Sequence, residues 1–305
     1  MAYDNQREAY GHTLVELAKT NKNIVVLDAD LGGSTITKPF ELAYPERFFE
    51  MGIAEANMIS MSAGLAQTGK IPFANSFAVF ITGRAFDQIR QTISIGQLNV
   101  KIVGSSAGLS DFGDGSTHQT VEDIAIMRAI PNMTVVVPAD VNEAIQATKA
   151  VADYHGPVYL RINRWAFENV MPEDKPFVIG EPTVLKEGTD IVIFATGITV
   201  GMAMEAAKAS SLSCKVVNVS TIKPLNDAKI IELSKDAKAV VCAEEHSIIG
   251  GLGSAVAEAL RRTGKPIEFV GIKDSFGCSA KNYEELLKHY DITPEAITKA
   301  IDSFK

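Results

Sequence analysis

Short runs of β-branched and apolar residues recur along this chain, and segments with helical spacing lie between them. Residues 24–27, 71–74, 101–104, 134–137 and 158–160 read as strands, while residues 5–20, 55–67, 79–93, 121–129 and 142–152 carry the apolar period of helices. Strands separated by helices cannot pair as hairpins, so the alternation predicts a parallel sheet covered on both faces. A second series follows, with strands at 191–194, 215–219, 239–242 and 267–270 and helices at 200–209, 227–233 and 253–262 before two closing helices. Between the series, Pro172, Pro176 and Pro182 stand among charged residues, the composition of a linker. The expectation is an α/β protein of two domains: residues 1–170, a linker at 171–188, and a smaller domain at 189–305. A length of 305 residues suits that division.

Composition narrows the function classes. Net charge is −8, which opposes docking on nucleic acid or anionic lipid, so neither is expected as a partner. No apolar run approaches the ~20 residues that span a bilayer. The start, Met1 to Glu8, is polar and lacks the order of a secretion signal, so a cytoplasmic location is expected. Cys214, Cys242 and Cys278 lie far apart, which suggests neither a zinc site nor a disulfide framework, and all three are expected in the core.

Two glycine patterns invite a nucleotide reading that their context weakens. Gly251-Leu252-Gly253 lacks the third glycine of the dinucleotide fingerprint. Gly113-Asp114-Gly115 sits in a long loop without a following helix that offers a metal-ligating Asn. Other segments carry more. Asp28-Ala29-Asp30-Leu31-Gly32-Gly33-Ser34 ends the first strand, where doubly wound folds bind ligands. Glu55 is one carboxylate at the start of a helix of Ala, Met, Ile and Leu; by itself it reads as a residue favoured by the helix dipole. Phe77 and Phe80, three apart at a helix start, read by themselves as core. Asp114, Thr117, His118 and Gln119 crowd a glycine loop that suits a polar site better than a core. Arg161 at a strand end offers a planar fork to an anion. His12, His155 and His289 read as surface or structural, and His246, beside Glu244 and Glu245, as an interdomain or subunit contact.

In this order, Asp-x-Asp-Leu, Gly-Ile-x-Glu-x-x-Met, Ser-Phe-x-x-Phe, Gly-Asp-Gly-x-Thr-His-Gln and Pro-Asn-Met before a Val-rich strand resemble the pyrimidine-binding domain of transketolase. Phe194-Ala195-Thr196-Gly197 and Glu244-Glu245-His246 through Gly253 are similar to its C-terminal domain, so the likeness covers essentially the whole chain. The resemblance implies thiamine diphosphate chemistry. Glu55 would hydrogen-bond a ring nitrogen of the aminopyrimidine, and an apolar setting would raise its pKa for that task. Phe80 would stack on the ring, Phe77 would line the same pocket, and Asp30 would lie near the thiazolium. His118 would act in catalysis and, with Asp114, contact sugar hydroxyls, while Ser34 and Arg161 would bind the phosphate end.

Single-chain transketolases carry, ahead of this region, a domain that holds the diphosphate through a metal; no such domain is expected here, and no metal ligand. The resemblance therefore implies the C-terminal subunit of a split transketolase. Its partner would be an N-terminal subunit that brings Mg2+ or Ca2+ in a two-plus-two assembly, and its reaction ketol transfer between sugar phosphates of pentose phosphate metabolism. Gly104-Ser105-Ser106 stands where single-chain members have a histidine, which leaves the sugars open. A 1-deoxyxylulose-5-phosphate synthase-like chain, a beta subunit of a 2-oxo-acid dehydrogenase and a non-catalytic scaffold are the alternatives; Ala85-Phe86-Asp87-Gln88 is similar to both of the first two.

Overall fold

The computed structural model describes residues 3–305, so Met1 and Ala2 of the polar start lie outside the described residues. The apolar runs form strands β1 (Ile24–Asp28), β3 (Ile71–Phe77), β4 (Lys101–Ser105), β5 (Thr134–Val136) and β6 (Val158–Arg161), which run parallel. Between the first two, β2 (Phe48–Glu50) adds a parallel edge strand beside β1. In β1 the alternation of side chains feeds two layers. Val25 and Leu27 pack with Met58, Ile59, Ala74 and Ile102 on one face, and Ile24 and Val26 with Tyr10, Leu14, Phe73 and Leu160 on the other. Helices Glu55–Gln67 and Ala78–Arg84 contribute to the first layer, and helices Gln6–Thr20 and Val141–Asp153 cover the second. The helix expected at 79–93 is interrupted: Ala85 ends its first part, and residues Ile89–Ser94 are π-helical.

The second sheet has the order β12 (Ile267–Ile272), β11 (Ala239–Ser247), β8 (Ile191–Ala195), β9 (Cys214–Asn218) and β7 (Thr183–Lys186). Here β7 lies inside the stretch read as linker. It is an antiparallel edge strand with all four residues only half-buried, so its sequence lacks the apolar run of a central strand. Directly after β9 the chain turns back, and β10 (Thr221–Lys223) pairs antiparallel with β5 of the first sheet. The two domains thus share a strand connection that no linker composition announces. Glu143 on a first-domain helix reinforces it by accepting hydrogen bonds from Asn218 Nδ2 (2.9 Å) and Ser220 Oγ (2.7 Å). His246 is an interdomain residue, fully buried, with Nε2 accepting the Ala125 N–H at 3.3 Å. Cys214 and Cys242 are buried as expected, but Cys278 is exposed. Among the described residues no helix is long and apolar enough to cross a membrane.

Candidate active site

The C-terminal ends of the parallel strands, where ligands bind in such sheets, gather most of the candidate residues. At the end of β1 the two aspartates divide their roles. Asp28 is fully buried and ties the following loop: Oδ1 accepts the Leu31 N–H (2.7 Å), and Oδ2 accepts the Thr35 (2.6 Å) and Thr37 (2.8 Å) hydroxyls. Burial pushes Asp28 up to about 6 against these hydrogen bonds. Asp30 is exposed and adopts a left-handed φ of 59°, held by its N–H to Glu50 Oε1 at 2.9 Å. Ser34 lies in the short helical turn Gly32–Thr35 that Asp28 holds through Leu31 and Thr35.

Glu55 opens its helix after the left-handed turn at Gly52, and its carboxylate is 3% exposed. Its surroundings are not purely apolar. Oε1 pairs with Arg84 Nη1 at 2.9 Å, with Ser76 Oγ at 3.5 Å. The same guanidinium lies over the Phe80 ring, with Cζ 4.1 Å from its centroid. Phe77 and Phe80 stack on each other at 5.8 Å and 15°, and His118 meets both edge-on, at 6.3 and 5.2 Å. Fold and sequence separation notwithstanding, Glu55, Phe77, Phe80 and His118 form one cluster, with Arg84 bridging two of its members. Thr117 Oγ1 and His118 Nδ1 share a hydrogen bond at 2.9 Å, so the other ring nitrogen, Nε2, is the one not used by that bond.

The loop that carries His118 also connects to a group of charges. Arg164 Nη1 pairs with Asp111 at 2.7 Å, and burial, reinforced by Asp114, raises the Asp111 carboxyl against the pull of Arg164 and His118. Arg7 sits in the first turn of helix Gln6–Thr20, whose N-terminus Asn5 caps, and donates from Nη1 to the Ser34 carbonyl at 2.7 Å. Burial and the neighbouring positive charge of Arg164 draw Arg7 down to about 10, and its shielded Nε has no protein partner. Arg7 and Arg164 thus place two positive charges near the Asp111 carboxylate, with one guanidinium N–H of Arg7 left unpaired. Arg161 is not part of this group. That residue is 4% exposed and bound from Nε to Asp123 (2.8 Å) and from Nη2 to the Glu245 carbonyl (3.0 Å), which leaves no face for a phosphate.

Residues 5–170 match the transketolase pyrimidine binding domain, and residues 180–297 match the transketolase C-terminal domain. The chain belongs to the transketolase family. It is 48% identical, over 98% of its length and 96% of the relative's, to a Methanocaldococcus jannaschii protein described as a transketolase C-terminal section. It is 39% identical, over 96% of its length and 92% of the relative's, to a 6-deoxy-6-sulfo-D-fructose transketolase subunit of Clostridium sp.. A solved split-gene transketolase, an inactive β4 tetramer, superposes with a TM-score of 0.91 at 46% identity, over 99% of this chain and 98% of that one.

Transketolase membership implies thiamine diphosphate, and the residues present fit its pyrimidine half: a buried carboxylate for a ring nitrogen beside a flat aromatic face for the ring. Among the described residues no group of three or more His, Cys, Asp and Glu side chains could hold a metal ion. Sequence reasoning missed Arg7, Arg84, Asp111 and Arg164. Arg164 was legible in part, since Arg161-Ile162-Asn163-Arg164 offers two arginines. Which of them faces outward depends on where β6 ends, and it ends at Arg161.

Proposed function

We propose that this chain is the C-terminal subunit of a two-chain, thiamine-diphosphate-dependent transketolase that moves a two-carbon ketol unit from a ketose phosphate to an aldose phosphate. The juxtaposition of Glu55 with the stacked Phe77–Phe80 pair and His118 carries the reading. An N-terminal subunit supplies the diphosphate and metal site, most simply in a two-plus-two assembly. When bound, thiamine diphosphate supplies a carbon nucleophile and a sink for the electrons released as a carbon–carbon bond breaks.

The chain's own residues do the rest. Glu55 holds a proton at the aminopyrimidine ring nitrogen, and Phe80 and Phe77 orient that ring. Asp30, exposed just beyond the C-terminal end of β1, balances the thiazolium charge. His118, through Nε2, and Asp114 orient sugar hydroxyls. The anionic end of the sugar goes to Arg7, Arg164 and the Ser34 segment, in place of the Arg161 contact read from the sequence. Combining this chain with an N-terminal subunit, thiamine diphosphate and Mg2+ should give ketol transfer from xylulose 5-phosphate to ribose 5-phosphate. Turnover only with pyruvate would replace this reading with one of the pyruvate-using relatives, and no cofactor binding at all would leave a scaffold.

Two substitutions probe the site. Arg164→Met removes a charge-assisted contact of about 1.5–3 kcal/mol, so KM for the phosphorylated donor should rise about 10- to 100-fold with kcat nearly unchanged. A fall in kcat at constant KM would deny Arg164 its contact with the anionic end. Arg84 lies over one face of Phe80, 4.1 Å from its centroid, so stacking of a ring on that face would displace it. The Arg84 end of its ion pair with Glu55 is 49% exposed, so breaking the pair costs about 0.2–1 kcal/mol, and Arg84→Ala should tighten thiamine diphosphate binding up to about fivefold by calorimetry. Weaker binding would make Arg84 a cofactor contact instead.

A further inference from the structure

The loop at 106–120 carries Asp111, Asp114 and His118, yet much of what holds it belongs to the second domain. Ala280 donates its N–H to the Phe112 carbonyl at 2.9 Å, and Gln119 Nε2 reaches the Cys278 carbonyl at 3.0 Å. At the base of the loop stands Glu245 of β11, 3% exposed. Its Oε1 accepts the Leu109 N–H at 2.7 Å and the Tyr283 hydroxyl. Gly108, with a left-handed φ of 67°, packs so closely on this carboxyl that a Cβ there would overlap it.

The other carboxylate oxygen faces the supports of the arginine pair. Oε2 accepts Asn163 Nδ2 at 3.2 Å, and the same amide nitrogen donates to the Tyr283 hydroxyl at 2.9 Å. Asn163 Oδ1 accepts the Trp165 N–H at 2.7 Å, closing the turn that presents Arg164. Its backbone N–H binds Gln6 Oε1 at 3.0 Å, next to Arg7. Arg161 balances the charge, with Nη1 at 3.8 Å from Oε2.

We propose that Glu245 is a positioning residue through which the C-terminal domain sets both halves of the substrate site, the sugar-facing loop and the arginine pair. Apolar packing would join two domains without the desolvation penalty of a buried carboxylate. What a carboxylate adds is direction: it fixes the Leu109 and Asn163 donors relative to each other, which packing alone does not. The kinetic part of the inference rests on the ketol-transfer reading.

The test uses Glu245→Gln and Tyr283→Phe in the complex reconstituted with the N-terminal subunit. Glu245→Gln puts an amide donor against donors on one side; Tyr283→Phe removes a single donor and keeps the carboxylate. Backbone hydrogen exchange should quicken at residues 109–119 and 163–165 while helix Glu55–Gln67 keeps its wild-type protection. KM for the ketose phosphate should rise about tenfold in Glu245→Gln and less in Tyr283→Phe, with thiamine diphosphate affinity unchanged. Exchange that quickens evenly through the chain, or cofactor affinity that falls in step with KM, would reduce Glu245 to a structural residue and overturn the proposal. So would wild-type exchange and KM in both variants. A wild-type complex that turns over no sugar phosphate would refute the ketol-transfer reading instead, and the exchange pattern would still decide whether Glu245 positions the loop.

Discussion

Glu55→Ala is expected to lower ketol transfer by the reconstituted complex by about 10²- to 10⁴-fold, the usual worth of a positioned proton-transfer group. Fold and assembly should survive. The side chain it leaves alone, Arg84, is 49% exposed and can turn to water, so no buried charge is stranded. The Phe77–Phe80 stack does not depend on the carboxylate, so cofactor binding should weaken less than turnover. Single-turnover kinetics alongside calorimetry would separate the two effects. Retention of more than about a tenth of wild-type kcat would deny Glu55 its assigned role.

Asp123→Ala should produce the largest loss of stability. Asp123 is fully buried on the helix Asp123–Ala129, and its Oδ2 accepts Arg161 Nε at 2.8 Å and the Tyr159 hydroxyl at 2.6 Å. Removing it strands a 4%-exposed guanidinium, a change that costs about 3–5 kcal/mol. Chemical denaturation of the chain should show it as a lowered midpoint, and an unchanged midpoint would mean that Glu245 alone neutralises Arg161. The pH dependence follows the same pair. Burial alone would raise the Asp123 carboxyl, but Arg161, His246 and the hydrogen bonds together hold it below its ordinary 3.8. A depressed folded-state value means that its stabilisation is complete above the unfolded value and is lost as pH falls through the folded one. Acid sensitivity below about pH 4 should therefore diminish in Asp123→Asn.

Glu55 and Arg161, the partner of Asp123, also mark how far the sequence could be read. Glu55 alone read as a residue favoured by the helix dipole; it stood out only because its motif stands in order with Phe77, Phe80 and His118, and the fold brings these side chains together around Arg84. Arg161 was misread because an arginine at a strand end offers the same fork to a ligand as to a buried aspartate. Only the packing of helix Asp123–Ala129 against β6 distinguishes the two. Likewise β7 and β10 escaped notice, since half-buried or three-residue strands carry no apolar run.

What the sequence alone determined was local: the strand and helix alternation, hence the parallel sheets, and the linked motifs that mark the family. Period and spacing encode such features within a few residues of one another. Which groups meet across the chain was decided only by tertiary structure. Arg7 stands 157 positions from Arg164 yet within reach of its charge, and Glu245 reaches Leu109 across 136. Coulomb forces and hydrogen bonds depend on distance in space, and only the folded backbone sets that distance.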